Sequence, residues 1–520
     1  MNQTQSIIEN FKKSYEIYQL GCLTTESVNP LSTNLSSFCK GNLPKAISVL
    51  KEIDLIALNS LLLQSKPLIE LSQQISETLK LGKRVFLFGC GATGRLSLSL
   101  EFFGKCGLIS KIHRDQIIAF MSGGDLALIK SISHFEDNTL YGANHLMELG
   151  FEDGDLLIST TEGGETPIVI GATEKASQVS SRKPYFLYCN SDEILISKVE
   201  RSKNVLLNEK IKKIPLVIAP MALSGSTRMQ ASTVLMLAVG AALKYSWDSQ
   251  GSIESMIKKI IEFYEKIDIL PLKSFIEQES EIYLSKEFVI YMTSQDFGIT
   301  ILTDTAEKSP TFSLNCFENT NSLNDPMSLC YLCLKGYKNS EEAWNNLLKR
   351  KPRCLEWEFC KNLTDYNHLL GYNISEEIIE LRKLQNKNQH IFSIDWGDKE
   401  KNIVNFTINK EKMVICFGDL DLFEINVILK MILNTHSTLV MGRIGRYESN
   451  VMTYVKPSNC KLIDRSIRYI RQILKDKHEL DIEYEKIMEL LSVIAKNINE
   501  DEPFVLKATD FVKNIYCKKI

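Results

Sequence analysis

The chain has 520 residues, 44% of them hydrophobic and 24% charged, with 61 basic against 64 acidic side chains. That length exceeds one ordinary core and predicts two domains plus a smaller appendage. The balanced charge provides no field to recruit nucleic acid or anionic lipid, so neither is an expected partner.

In chain order, the N-terminal Met1-Asn2-Gln3-Thr4-Gln5-Ser6 lacks a charged region followed by an apolar one. The longest apolar run, 234–243, is too short to span a bilayer, so a cytoplasmic protein is expected. Strands are predicted near 84–88, 117–121, 155–160, 185–189 and 215–218, with amphipathic helices such as 138–149 and 167–177 between them. This alternation is that of a parallel sheet with helical crossovers. A fainter second block has strands near 288–292, 311–316, 391–394 and 412–417, and from about 421 the pattern is helical to the end. The runs Lys349-Arg350-Lys351-Pro352-Arg353 and Asn386-Lys387-Asn388-Gln389 read as solvated loops or helix ends. The fold class is therefore α/β, with two α/β domains and a helical C-terminal part. Expected boundaries are an N-terminal segment 1–45, domains 46–270 and 271–425, and a lid 426–520.

Thirteen cysteines are scattered without even spacing, and Cys90, Cys189 and Cys416 lie on or beside expected strands, which suits reduced thiols. Cys330 and Cys333 form a lone CxxC; with no second pair and few histidines it reads as packing, and no metal is expected.

The chemistry concentrates in loops that follow strands. Gly89-Cys90-Gly91-Ala92-Thr93-Gly94-Arg95 follows the apolar Val85-Phe86-Leu87-Phe88, a strand, glycine turn and helix suited to hold an anion. A dinucleotide is disfavoured, because the first acid after the second strand is Asp125, beyond the usual spacing and behind Ser122-Gly123-Gly124. No lysine follows Gly94, so the loop is not of the nucleotide triphosphate kind, and no cofactor is expected. Thr160-Thr161-Glu162-Gly163-Gly164-Glu165-Thr166-Pro167 and Ser224-Gly225-Ser226-Thr227-Arg228 follow later strands and also open helices. In a parallel sheet such loops converge at the carboxyl ends of strands. Hydroxyls of Thr93, Thr161, Thr166, Ser226 and Thr227, with backbone N–H groups, suit a phosphate monoester; each loop alone is also an ordinary helix cap.

These segments, with Glu136-Asp137 and Ser224-Gly225-Ser226-Thr227-Arg228-Met229, resemble a sugar isomerase (SIS) domain. The nearest families are those of the glucokinase regulatory protein and the N-acetylmuramic acid 6-phosphate etherase. Thr25-Glu26-Ser27-Val28-Asn29-Pro30 is similar to their N-terminal segment, and Lys430-Met431-Ile432-Leu433-Asn434-Thr435-His436-Ser437-Thr438 to the helix after their sugar site. The etherase is a shorter, single-domain subunit, so the length here resembles the regulatory protein. That implies two flavodoxin-like, three-layer SIS domains with parallel sheets, capped by a helical part.

The resemblance also implies a ligand site. Thr93, Thr161 and Ser226 would hold the phosphate with Lys430; Gly91, Gly163 and Thr227 belong to the same turns, Glu136 would meet sugar hydroxyls, and Glu307 would close the other side. The family pattern is altered at Ala92, Gly163 and Pro310. Etherase chemistry needs acid–base groups, and the two glutamates of that family fall at Phe103 and Ser133. Glu101, two residues from Phe103, lies about 200° around the helix and is a poor substitute. The expectation is a non-catalytic sugar-phosphate sensor with a sugar kinase as partner. The alternative is an etherase, or an isomerase using Glu136 or Glu307 as base.

Overall fold

The computed structural model describes residues 3–132, 135–322, 324–496, 498 and 502–517. β1 (Val85–Gly89) is apolar and buried along its whole length, as a central parallel strand must be. It pairs in parallel with β2 (Ile117–Met121) on one side and β3 (Leu156–Thr160) on the other. β4 (Tyr185–Tyr188) and β5 (Lys212–Pro215) extend the sheet beyond β3. The order β2-β1-β3-β4-β5 is flavodoxin-like, and its direction of growth reverses between β1 and β3.

Alternation along β1 explains the layers. Val85 and Leu87 join one apolar cluster with the helices Pro67–Lys80, Ala92–Phe103 and Gln230–Lys244. Phe86 and Phe88 join another with Thr139–Glu148 and Pro167–Val179. The first four expected strands lie in this sheet. The fifth forms earlier than 215–218, because Lys212 and Lys213 occupy an edge where solvent reaches them.

The second sheet departs from expectation. β6 (Phe288–Thr293) lies parallel between β7 (Cys330–Leu334) and β8 (Gln389–Asp398), but β9 (Ile403–Ile408) and β10 (Glu411–Cys416) continue antiparallel. The sheet is mixed because residues 399–402 alone join β8 to β9, and Asn409 and Lys410 alone join β9 to β10, with Asn409 at φ 51°; links this short permit hairpins but no crossover. The strand expected at 311–316 is absent. The helix Gln295–Phe312 runs through Pro310, ends at a left-handed Ser313, and leads into irregular chain. Pro310 forfeits its own N–H donation to the carbonyl four residues back, and the helix closes two residues later.

The carboxyl end of β6 and β8 is filled by their own chain. Trp396 Nε1 donates to Asp296 at 2.8 Å, Lys399 reaches the same carboxylate at 2.6 Å, and the Trp396 and Phe297 rings lie 4.6 Å apart.

Between the two sheets runs the helix Leu422–Arg443, buried from Phe423 through Gly442 and packed on Gln230–Lys244 and Gln295–Phe312. The C-terminal part is not wholly helical: Tyr447–Glu448 and Val451–Met452 pair as a small hairpin before the helix Cys460–His478. The basic run at 349–353 is not a solvated loop. Arg350 and Arg353 bind Glu101 at 2.8 and 2.9 Å, and Arg353 N–H donates to Asp125. Among the described residues no helix is long and apolar enough to cross a membrane, and no cluster of side chains is arranged to hold a metal ion.

Candidate functional site

The reversal between β1 and β3 brings the glycine loop beside the Thr161 turn, at the position where open α/β sheets bind ligands. The glycine spacing has steric causes. A Cβ on Gly89 would strike the Thr93 carbonyl at 2.5 Å, and one on Gly94 would strike Met121 at 2.6 Å, so both allow the helix to sit tightly on the sheet. Gly91 differs: at φ 58° it has nothing within 4 Å of a Cβ, and it leaves open space before the helix N-terminus. Thr93 shapes this turn, since its Oγ1 accepts from the Cys90 N–H at 3.0 Å and donates to the Cys90 carbonyl at 2.9 Å.

In the neighbouring turn, the Thr161 and Thr166 hydroxyls bond at 2.9 Å, and Asn190 Nδ2 holds the Gly163 carbonyl at 2.9 Å. Asn190 also bonds Thr25, which ties the N-terminal segment to this turn. Glu162 is 8% exposed, and its Oε1 has no hydrogen-bond partner among the described residues. Burial pushes its carboxyl up to about 7, although Lys461 pulls it down.

The helix Cys460–His478 covers the turns. Asn459 caps it, and Lys461, Arg465 and Arg468 share one face by spacing. Lys461 Nζ lies 3.2 Å from Glu165 and 3.9 Å from Glu136. Arg201 also pairs with Glu165, and these cations outweigh burial and lower that carboxyl. Glu136, 32% exposed at its side chain, stands nearer solvent; desolvation raises its carboxyl against the pull of Lys461.

Arg465 lies against Gly225, and Tyr469 donates to the Ser224 carbonyl at 2.5 Å, which fixes the 224–228 loop beneath the helix. In this loop the Ser226 hydroxyl is buried and has no hydrogen-bond partner among the described residues, while Thr227 is partly exposed.

Lys430 lies behind that loop. It donates to the Arg228 carbonyl and Thr233 Oγ1 at 2.8 Å and to Asn434 at 3.0 Å. Burial lowers its ammonium to about 8. It is buried and fully engaged, and its ammonium braces the loop through the Arg228 and Met229 carbonyls. Ala92, Arg228, Asp304, Glu307 and Lys430 line one cavity with room for roughly one water. Glu307 pairs there with Arg95.

Thus Gly91, Thr93, Glu136, Thr161, Gly163, Ser226 and Thr227 lie on turns at the sheet's carboxyl end or on the chain beside them, whereas Glu307 and Lys430 lie in the adjoining cavity. Sequence reasoning missed Glu162 and Lys461. The signal for Lys461 was the basic spacing 461, 465, 468 behind an asparagine cap.

Of the two positions that correspond to etherase glutamates, Ser133 lies outside the described residues. Phe103 is core, with its ring 5.5 Å from that of Phe423 and 1% exposure. Phe103→Glu is expected to cost on the order of 3–5 kcal/mol in urea unfolding, from lost packing and a buried charge. An unchanged midpoint would mean that the crevice reaches this position.

The first sheet, its glycine loop and its roofing helix define an α/β protein with a flavodoxin-like parallel sheet. Residues 68–177 match the model of the glucokinase regulatory protein N-terminal SIS domain. The N-acetylmuramic acid 6-phosphate etherase of Francisella philomiragia subsp. philomiragia is 26% identical over 277 residues, 53% of this chain and 85% of the etherase. That of Clostridium acetobutylicum is 28% identical over 216 residues, 41% of this chain and 66% of the etherase. A solved structure from Clostridium difficile 630, assigned as a phosphosugar isomerase, is 10% identical with a TM-score of 0.45, covering 78% of this chain and 95% of that one. The chain resembles the glucokinase regulatory protein and is related to the etherases.

Proposed function

We propose that the chain binds a phosphorylated sugar, of the hexose 6-phosphate type, in the crevice between the glycine loop and the Thr161 turn, and serves as a sensor. One observation carries this reading: where the strand order reverses, Gly91 leaves open space before a helix N-terminus, and the nearby Ser226 hydroxyl is buried without a partner. A phosphate there meets unpaired amide N–H groups and the positive end of the helix dipole. Ser226 and Thr227 supply hydroxyls toward it, while Thr93, whose proton goes to the Cys90 carbonyl, and Thr161 with Gly163 shape the two turns. Glu136 takes sugar hydroxyls at the mouth, while Glu307 and Lys430 set the far wall.

The sensor acts through the helix Cys460–His478, whose Lys461 touches the crevice and whose Arg465 and Arg468 hold Glu26 of the N-terminal segment. A ligand that binds better with this helix in one position shifts its equilibrium and the surface offered to a partner. By likeness to the family whose domain model matches, that partner is a sugar kinase.

A thermal-shift panel of hexose phosphates tests the reading. Binding stabilises the chain by about 2.7 kcal/mol at ~100-fold excess over Kd. The shift should vanish in Ser226→Val, and no shift with any ester would overturn the proposal.

An enzymatic reading is favoured by one observation, the raised Glu136 carboxyl beside Lys461, a group able to exchange protons nearer neutral pH. Lactate release from N-acetylmuramic acid 6-phosphate, or aldose–ketose interconversion, that is lost on Glu136→Gln would establish it in place of the sensor.

A further inference from the structure

The acids beneath the roofing helix are matched to cations, with one exception. Glu26 is held by Arg465 and Arg468, Asp464 by Arg468, Glu165 by Arg201 and Lys461, and Glu307 by Arg95. Glu136 lies 3.9 Å from the same Lys461. Glu162 has no cation within ion-pair distance among the described residues, and its Oε1 has no hydrogen-bond partner.

Its position is inside the crevice. Lys461, Glu307 and Glu136 all act on its charge, and the thiols of Cys90 in the glycine loop and Cys189 after β4, raised chiefly by burial, feel that charge too. The group therefore sits among the turns that form the proposed phosphate cradle. The Ser226 hydroxyl, on a different loop, is a second buried polar atom left without a partner.

A phosphate dianion entering such a site gains amide and hydroxyl donors, but among the described residues the cations around it already face acids, carbonyls or hydroxyls. Lys430 is taken up by the Arg228 and Met229 carbonyls, Thr233 and Asn434, and Arg228 through its two terminal nitrogens by Asp304, Ser437 and Thr438, with only its Nε left without a partner among the described residues. Two or so negative charges beside this buried group, whose carboxyl already sits near 7, either repel its carboxylate or force it to take up a proton, and each carries a cost at low local dielectric. A ligand that carries its own cation removes that cost.

We infer that the sugar phosphate taken by this site bears a free amino group, an aminohexose phosphate, whose ammonium is received by the unpaired Glu162 carboxylate while the phosphate occupies the glycine-loop cradle. This rests on the sugar-phosphate reading above and narrows it to a zwitterionic ligand class. The ammonium supplies donors for the orphaned Oε1, and a buried charge pair with hydrogen bonds on both sides gives discrimination that a neutral hydroxyl does not. Acetylation of the amine removes the charge and adds bulk, so an N-acetylated ester should lose the advantage.

The test is calorimetric titration of the full chain with glucosamine 6-phosphate, glucose 6-phosphate and N-acetylglucosamine 6-phosphate. Glucosamine 6-phosphate should bind at least about tenfold more tightly than either of the others, a difference of ~1.4 kcal/mol. Glu162→Gln, which keeps the shape, should bring the amino and hydroxyl esters to within about threefold of one another by weakening the amino ester alone. Equal affinities of the wild-type chain for the amino and hydroxyl esters would overturn the inference and leave sugar-phosphate binding standing. So would a preference for the amino ester that survives Glu162→Gln. Binding of none of the three, together with no thermal shift across the wider hexose phosphate panel, would overturn both readings. The wild-type comparison needs no variant, so a folding defect in Glu162→Gln does not leave the question open.

Discussion

Arg228→Met should lower the stability of the chain by on the order of 3–5 kcal/mol, among the largest losses expected of any single substitution here, because it strands a buried carboxylate. Arg228 and Asp304 are 3% and 2% exposed at their side chains and meet at 3.0 Å. The guanidinium also donates to Ser437 and Thr438, while Asp304 accepts from Asn434 at 2.8 Å and Ser437 at 2.9 Å. One cluster therefore joins a loop of the first sheet, the helix Gln295–Phe312 and the helix Leu422–Arg443. The cost comes less from the lost attraction than from an acid left without its countercharge. Asp304→Asn should be less damaging, and Arg228→Met combined with Asp304→Asn should recover part of the loss, since no net charge then remains buried. Urea unfolding of the three variants checks this. A shift below about 1 kcal/mol for Arg228→Met would show that solvent relieves the carboxylate.

The sequence was most legible where cause and effect are local. An unbroken apolar run ending in glycines marks β1, and the Gly89 and Gly94 contacts are made within a few residues, so the loop and its neighbours could be read directly. The helix carrying Lys430 is read only through its resemblance to known families, and in the structure its polar residues Asn426, Lys430, Asn434 and Ser437 are buried at helical spacing. What failed was long-range. The basic run at 349–353 looks solvated because its partners, Glu101 and Asp125, belong to the first sheet. Lys461 looks like a surface residue until the roofing helix sets it against Glu165. The segment 311–316 alternates like a strand after a proline, but the preceding helix is packed firmly enough to run through Pro310. The strand expected at 412–417 reads as part of a parallel pattern because strand periodicity carries no direction, and β9 is not read at all; the short links 399–402 and 409–410 set the antiparallel course. Glu162 reads as turn polarity, and only its burial makes it unusual.

Acidification should release the roofing helix before the sheets unfold, and Glu26 should be the group responsible. Burial alone would raise this carboxyl, but Arg465 and Arg468 outweigh it, and the carboxyl falls from its ordinary 4.5 to about 2. Arg465 NH2 donates to it at 2.6 Å and Arg468 NH2 at 2.8 Å, so the N-terminal segment is fastened to two turns of the helix. A carboxyl whose pKa is depressed in the folded chain contributes its full stability above the unfolded value. That contribution is lost as pH falls from about 4.5 through about 2. A difference of this size corresponds to roughly 3 kcal/mol. In Glu26→Gln that pH-dependent contribution should be absent, and the roofing helix should be looser at neutral pH, because two buried arginines have then lost their acid. Hydrogen exchange of helix Cys460–His478 between pH 6 and pH 3 reads this directly: protection should fall with pH in the wild-type chain and start low and stay low in Glu26→Gln. If protection in the variant matches the wild type at pH 6, the helix is held by its apolar face alone. In that case the link from crevice to C-terminal part through Lys461 and Arg465 would be too weak to carry a signal.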